Sequence, residues 1–163
     1  MINSTSALYD AKIAEWKKAD DIIKSKNLDN YLVTLNPSDK SAENLDRNAQ
    51  YKERAIFYAI AGQTLRGMVG SIFRKWPQIS APDELGYLQS DANGSGVSIY
   101  QQSQAVTSDI LSKGFAGLAV SFPVTDGDIS VENQSLVTAK INRFEPEQII
   151  NWRVENGKVV LVV

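Results

Sequence analysis

The 163 residues suit one globular domain, or one domain with an N-terminal helical extension, and 43% hydrophobic with 22% charged side chains is an ordinary globular balance. The chain has neither cysteine nor histidine. This excludes disulfides, thiolate catalysis and thiolate zinc sites, and removes the commonest general base and transition-metal ligand. Net charge is −2 but unevenly spread: residues 47–75 hold 6 basic side chains and one acid, whereas residues 76–135 hold one lysine and 7 acids. Such segregation fits neighbouring subunits meeting basic surface to acidic surface, unless the fold interleaves the two segments. No apolar run reaches the ~18 residues of a membrane span, and the start MINSTSALYDAK lacks the marks of a secretory signal. A reducing cytoplasm is the expected setting.

In chain order, residues 7–24 form a first helix with Ser6 as N-cap and an imperfect apolar face including Ile13, Trp16 and Ile23. Residues 31–35 read as a short strand or extended segment before an Asn36-Pro37-Ser38 turn. One very long helix then starts between residues 41 and 46 and ends near Phe73, a run of roughly 28 residues and about 42 Å. Leu65, Met68, Val69, Ile72 and Phe73 give it the spacing of a buried stripe. Gly62, Gly67 and Gly70 thin its surface for close packing, and Gly62 or Gly67 is the expected place for any break. Trp76-Pro77 leaves it in extended backbone.

Pro82 to Leu85 reads as a short helical start, and the turn at residues 91–96 introduces a third helix over 97–112, closed by Lys113 and Gly114. Residues 118–123 are expected as a buried strand and 136–144 as an alternating strand, with a polar stretch between them. A helical turn over 146–150 precedes the strongest local signal. Asn156-Gly157 between two strand-like runs specifies a type I′ hairpin. The expected fold class is α+β: an N-terminal helix, one very long helix, a third helix and a small C-terminal sheet. Residues 1–45 form a helix and extended arm, and 46–163 the α+β region.

Chemical motifs are sparse. Asp91, Asn93, Ser95 and Gly96 imitate the opening of a calcium loop, but Gln102 stands where the bidentate glutamate belongs and Ser98 where an aliphatic is needed, so a turn and helix cap is the preferred reading. The stretch from Gly62 to Gly67 lacks the Lys-Ser/Thr ending of a phosphate loop, and Ser121 lacks an elbow and a histidine to activate it. Asp126, Asp128 and Glu132 on a polar loop are read as solvated. Neither a metal nor a cofactor is expected. Arg66, Arg74, Lys75 and Trp76 stand out, because cations beside an exposed aromatic hold phosphates or anchor a protein interface. The interface reading is preferred.

An ordered series of residues then resembles a known family. It runs through Trp16 with Asp20-Asp21, Tyr31-Leu32 before a Pro turn, Tyr51-Lys-Glu-Arg54-Ala and Thr64-Leu, and then Gly70-Ser-Ile-Phe73-Arg74-Lys75-x-Pro77. It continues with Asp91 and Gly94 or Gly96 ahead of a helix, Leu111-x-x-Gly114-x-x-Gly117, Val120-x-x-Pro123 and Glu147-x-Ile149-Ile150-Asn151-Trp152. Taken over nearly the whole chain, the series is similar to tailed-phage portal-like proteins, formerly a domain of unknown function. Ser121 departs from the acid expected before the aromatic-Pro step.

The resemblance implies a non-enzymatic structural subunit of a portal ring, typically of twelve copies, at the capsid vertex. Such a ring serves genome packaging, ejection and head–tail connection. The implied partners are further copies of the chain, capsid protein, terminase, tail or adaptor proteins and double-stranded DNA in the assembled channel, with no membrane. The implied location is the virion, and the host cytoplasm during assembly. The matched region corresponds to the N-terminal, wing-side part, with stem and clip expected beyond residue 163. The alternatives are a small soluble nucleotide-binding or Lys/carboxylate enzyme domain, or a DNA-binding module.

Overall fold

The computed structural model describes residues 4–123 and 138–163. Helix α1 (Ala7–Lys24) begins where Ser6 accepts the Tyr9 N–H on its hydroxyl and ends at Ser25, held in the left-handed region at φ 54°. Helix α2 (Ala42–Arg54) opens on Ser41 in the same way, with the Asn44 N–H as donor. Helix α3 spans Ile60–Ile72, and α4 spans Ile99–Lys113. A reciprocal Ser98–Gln101 capping box opens α4, and Gly114 closes it at φ 74°. Short 3-10 turns occupy Leu28–Tyr31, Asp83–Gln89 and Pro146–Gln148. The strands are β1 (Gly117–Ser121), β2 (Lys140–Phe144), β3 (Trp152–Glu155) and β4 (Lys158–Val162).

The fold is a mixed α+β arrangement with two separate two-stranded antiparallel sheets, β1–β2 and β3–β4. In the first, Gly117 faces Phe144 and Ser121 faces Lys140. In the second, Trp152 faces Val162, and a register shift interrupts the ladder between Arg153 and Val154. Asn156 at φ 49° and Gly157 at φ 75° turn the chain between β3 and β4. Among the described residues no helix is long and apolar enough to cross a membrane.

Several expectations are corrected. The single very long helix is two helices, and the break falls on residues 55–59 rather than on a glycine. Gly62 instead serves the crossing of α1 and α3, since a Cβ there would meet the Ile23 carbonyl oxygen at 2.5 Å; around Gly67 and Gly70 the space is open. The stripe on α3 is at most half-buried, with Met68 and Ile72 exposed. Residues 31–35 form no strand, because Asn48 holds the Leu35 backbone in an irregular loop by accepting its N–H at 2.7 Å and donating to its carbonyl at 3.0 Å. The expected buried strand at 118–123 is largely exposed, with Leu118, Val120 and Phe122 all open to solvent. A two-stranded sheet has too little cover to bury both of its faces.

Packing concentrates where α1, α3 and α4 meet and where α1 crosses the Pro146–Gln148 turn. Trp16 is the buried residue of α1, and its indole N–H donates to the Lys113 carbonyl at 3.1 Å, at the end of α4. A row of rings continues from it: Tyr9 edge-on at 6.1 Å, Phe115 stacked at 6.2 Å, and Trp152 stacked on Phe115 at 5.2 Å. Tyr9 Oη donates to the Glu147 carbonyl, the Ser6 N–H donates to the Ile150 carbonyl, and Asn151 Nδ2 donates to the Ser4 carbonyl. These bonds fasten the chain's first helix to its last hairpin. Beyond this core, apolar burial is sparse: Trp16, Ala92 and Ile149, together with Pro146, are the buried apolar side chains among the described residues.

Candidate interaction surface

Helix α3 loses its regular bonding at Phe73, and the chain leaves through Arg74, Lys75 and Trp76 toward Pro77. The Trp76 ring sits 5.7 Å from Phe73 and 5.6 Å, edge to face, from Tyr100 in the first turn of α4. Half of Trp76 remains exposed. Arg74 and Lys75 are exposed beside it, and no described carboxylate lies within 4.0 Å of them or of Arg66. Arg66 lines a groove of about 490 Å³ between α3 and α4 with Gln101 and Gln104. Arg74, Lys75 and Trp76 are consecutive at the exit of α3 and do not line that groove.

The larger surface feature is apolar. A groove of about 560 Å³ runs between the two sheets, lined by Phe115, Leu118, Phe144, Ile149, Trp152 and Val162 among others. Val159, Val160, Leu161 and Val162 of β4 are all exposed. The final apolar run makes one ladder, to β3, and its side chains stay open. Another apolar stretch lies between α2 and α3: Ile56 is 77% exposed, Phe57 43% and Tyr58 73%.

A few charged side chains, by contrast, pair inside the fold. Lys113, whose side chain is 4% exposed, bonds the Glu147 carboxylate and lies 3.6 Å from Asp20 and 3.9 Å from Glu145. Arg143 forms a fork on Asp109, at 2.5 and 2.9 Å, and reaches Glu145 at 3.2 Å. Burial pushes the Asp20 carboxyl up, but the Lys24 hydrogen bond, the Lys24 charge and Lys113 together hold it below its ordinary value. The hydrogen bond that Lys24 donates to Asp20 raises Lys24 in return, and those that Arg143 donates to Asp109 raise Arg143. Sequence reasoning missed this network; Lys113 was legible only as a last-turn cation, and its carboxylate partners lie far off in the chain.

The calcium-like loop is a backbone turn. Asp91 Oδ1 accepts the N–H groups of Gly94 and Gly96, and Asn93 Oδ1 those of Ser95 and Val97. Gln102, at the position of the missing glutamate, is buried and donates to the Ile141 carbonyl at 2.6 Å. Among the described residues no three acidic side chains gather as a metal site; Asp126, Asp128 and Glu132 lie outside them. Ser121 faces Lys140 across the sheet, but its hydroxyl accepts from Asn142 Nδ2 at 2.8 Å while the Lys140 side chain lies against Gly94. No nucleophile–base pair results. No protein-family model and no curated protein matches this chain.

Proposed function

We propose that the chain is a non-enzymatic structural subunit of a homo-oligomeric assembly, and specifically the wing-side part of a tailed-phage portal ring. The observation that carries the assembly reading is the surface, where large apolar side chains stand open on α3, on β4 and in the link between α2 and α3. Soluble monomers rarely expose large contiguous apolar patches, and exposed apolar side chains in such number mark interaction surfaces. The portal assignment adds the ordered residue series above, from Trp16 to Trp152. In this reading the β3–β4 hairpin turns through a type I′ Asn156-Gly157 pair and belongs to the wing. Its partners are further copies of the chain, capsid protein, terminase, tail or adaptor proteins and the double-stranded DNA that the assembled ring conducts. Its place is the virion, and the host cytoplasm during assembly.

A DNA-contacting role has one observation in its favour, the exposed Arg74 and Lys75 beside Trp76 without a described carboxylate partner. Native mass spectrometry across protein concentration and salt tests the principal reading. A closed ring of about a dozen copies, or a ladder growing toward one, is expected. A monomer at every concentration would overturn it, and steeply salt-dependent retention of duplex DNA by that monomer would favour the nucleic-acid reading instead.

A further inference from the structure

Asparagine followed by glycine is the pair most prone to spontaneous loss of the side-chain amide, because glycine has no Cβ to keep its backbone nitrogen away from the asparagine side chain. The chain holds two such pairs, Asn93-Gly94 and Asn156-Gly157. The fold treats them in opposite ways. Asn93 is half-buried, and its Oδ1 accepts the N–H groups of Ser95 and Val97 at 2.9 and 3.2 Å. The Gly94 nitrogen, the one that would have to attack, donates its N–H to Asp91 Oδ1 at 2.7 Å, and the Lys140 side chain lies over the glycine. Ala92, next to the pair, is fully buried; its N–H donates to the Val97 carbonyl and its carbonyl accepts the Ile141 N–H. Opening this loop breaks all of these bonds together.

Asn156 and Gly157 have none of this. Both are exposed at the tip of the β3–β4 hairpin, and the space around Gly157 is open. Neither the Asn156 side chain nor the Gly157 N–H has a partner among the described residues. Asn156, at φ 49°, must rotate out of its left-handed turn before its side-chain carbon meets the Gly157 nitrogen. That rotation needs only the tip to fray. The hairpin belongs to no larger sheet among the described residues, its ladder is already interrupted between Arg153 and Val154, and the side chains of β4 lie open. The backbone bonds of Ile150 and Asn151 with Val163 sit at its base, away from the tip. A lone two-stranded ladder is marginal in water, and such ends open at far lower free energy than packed segments do.

We propose that Asn156 is a site of spontaneous deamidation, while Asn93 is held inert by its loop. The Gly157 nitrogen bonds to Asn156 Cγ as the Cγ–Nδ2 bond breaks. Its proton leaves with the side-chain amide as ammonia, and a cyclic succinimide closes. Water is the co-reactant that reopens the ring, and nothing is oxidised or reduced. Water added at Cγ leaves aspartate on an unchanged main chain. Water added at the main-chain carbonyl leaves isoaspartate, with the chain running through Cβ and Cγ. Isoaspartate lengthens the main chain inside the two-residue connection between β3 and β4, where loop length fixes strand register. The ladder from Trp152 to Val162 therefore loosens in that product, and a new carboxylate appears beside Glu155.

The test is incubation of the native protein at mildly alkaline pH, where hydroxide speeds the attack, followed over days by peptide mapping with mass spectrometry and by enzymatic methylation of isoaspartate. A sample unfolded in urea gives the intrinsic rate of each pair. Relative to those rates, the native peptide holding Asn156 is expected to convert at least about tenfold faster than the one holding Asn93. Asp91→Ala, which frees the Gly94 N–H, is expected to raise conversion at Asn93 and leave that at Asn156 unchanged. Comparable native rates at the two pairs, or conversion at Asn93 alone, would overturn the proposal. So would an Asn156 that stays intact in the native protein while the unfolded chain converts. Hydrogen exchange of the isoaspartate-enriched fraction reads the consequence. Faster exchange over residues 152–162, with α1 and α4 unchanged, is expected, and a hairpin that exchanges as before would overturn the loosening.

Discussion

Helices α1 and α2 open with the same device, a serine whose hydroxyl accepts the N–H three residues on, yet they end in opposite circumstances. Helix α1 buries Trp16 in a row of stacked rings and ties its first turn to the Pro146–Gln148 segment. Helix α2 buries no apolar side chain; its buried residue is Asn44, and it is spent on the loop just before the helix. Local capping thus forms both helices, while tertiary packing secures only one of them. One region of the molecule is held by rings and paired charges at long sequence separation. The other is a locally ordered arm whose apolar side chains are left for something else.

Substitutions should separate the two regions. Trp16→Ala removes the centre of the ring row and the bond to the Lys113 carbonyl, and is expected to cost about 3–5 kcal/mol in urea unfolding. Phe57→Ala, an equally aromatic deletion in the arm link, is expected to stay within about 0.5 kcal/mol of the parent in dilute solution. Equal costs would erase the distinction. Next in size is Asp109→Ala. It strips the fork from Arg143, which keeps Glu145 at 3.2 Å and some solvent, so the expected loss is about 2 kcal/mol, below that of a fully buried pair.

What was legible in the sequence follows the same division between local and distant. The bounds of α1, the Gly114 stop of α4 and the Asn156-Gly157 hairpin all came from residues within a turn or two of the feature they specify. The break at residues 55–59 was not legible. Ala-Ile-Phe-Tyr-Ala contains neither glycine nor proline and continues the helical pattern on both sides, so local rules favour one long helix there. The Arg143–Asp109 fork and the Lys113–Glu147 pair join residues 34 positions apart, and no spacing rule announces such a pair. Of the candidate site, the exit of Arg74, Lys75 and Trp76 was readable because the three are consecutive, whereas the groove that Arg66 lines with Gln101 and Gln104 joins residues about 35 positions apart and was not.

The arm has its own test. Asn44→Ala deletes three hydrogen bonds from one amide to the carbonyls of Leu35, Asn36 and Asp39, a local loss of about 1–3 kcal/mol. Since nothing in the α1–α4 core depends on that amide, hydrogen exchange should accelerate over residues 34–41 while amides of α1 and α4 keep their protection. Loosening of both together would mean that the arm and the core unfold as one unit.

The smallest effect is the most specific in its pH dependence. Asp20 lies between Lys24 at 2.7 Å and Lys113 at 3.6 Å, and these cations outweigh its burial to hold its carboxyl below the ordinary value. A carboxyl depressed by folding contributes stability above its unfolded value, about 3.9, and loses that contribution as pH falls through the lower folded value. Lys24 carries the mirror-image term. The bond to Asp20 raises it, so its contribution is complete below its unfolded value, about 10.4, and is lost as pH rises through the folded one. Asp20→Asn should therefore narrow the gap between itself and the parent at both extremes, with the largest difference on the plateau between about pH 5 and 9. A gap that stays constant from pH 2 to 11 would show that Asp20 acts through packing or neutral hydrogen bonding, and that the charges around Lys113 do not hold α1 to α4.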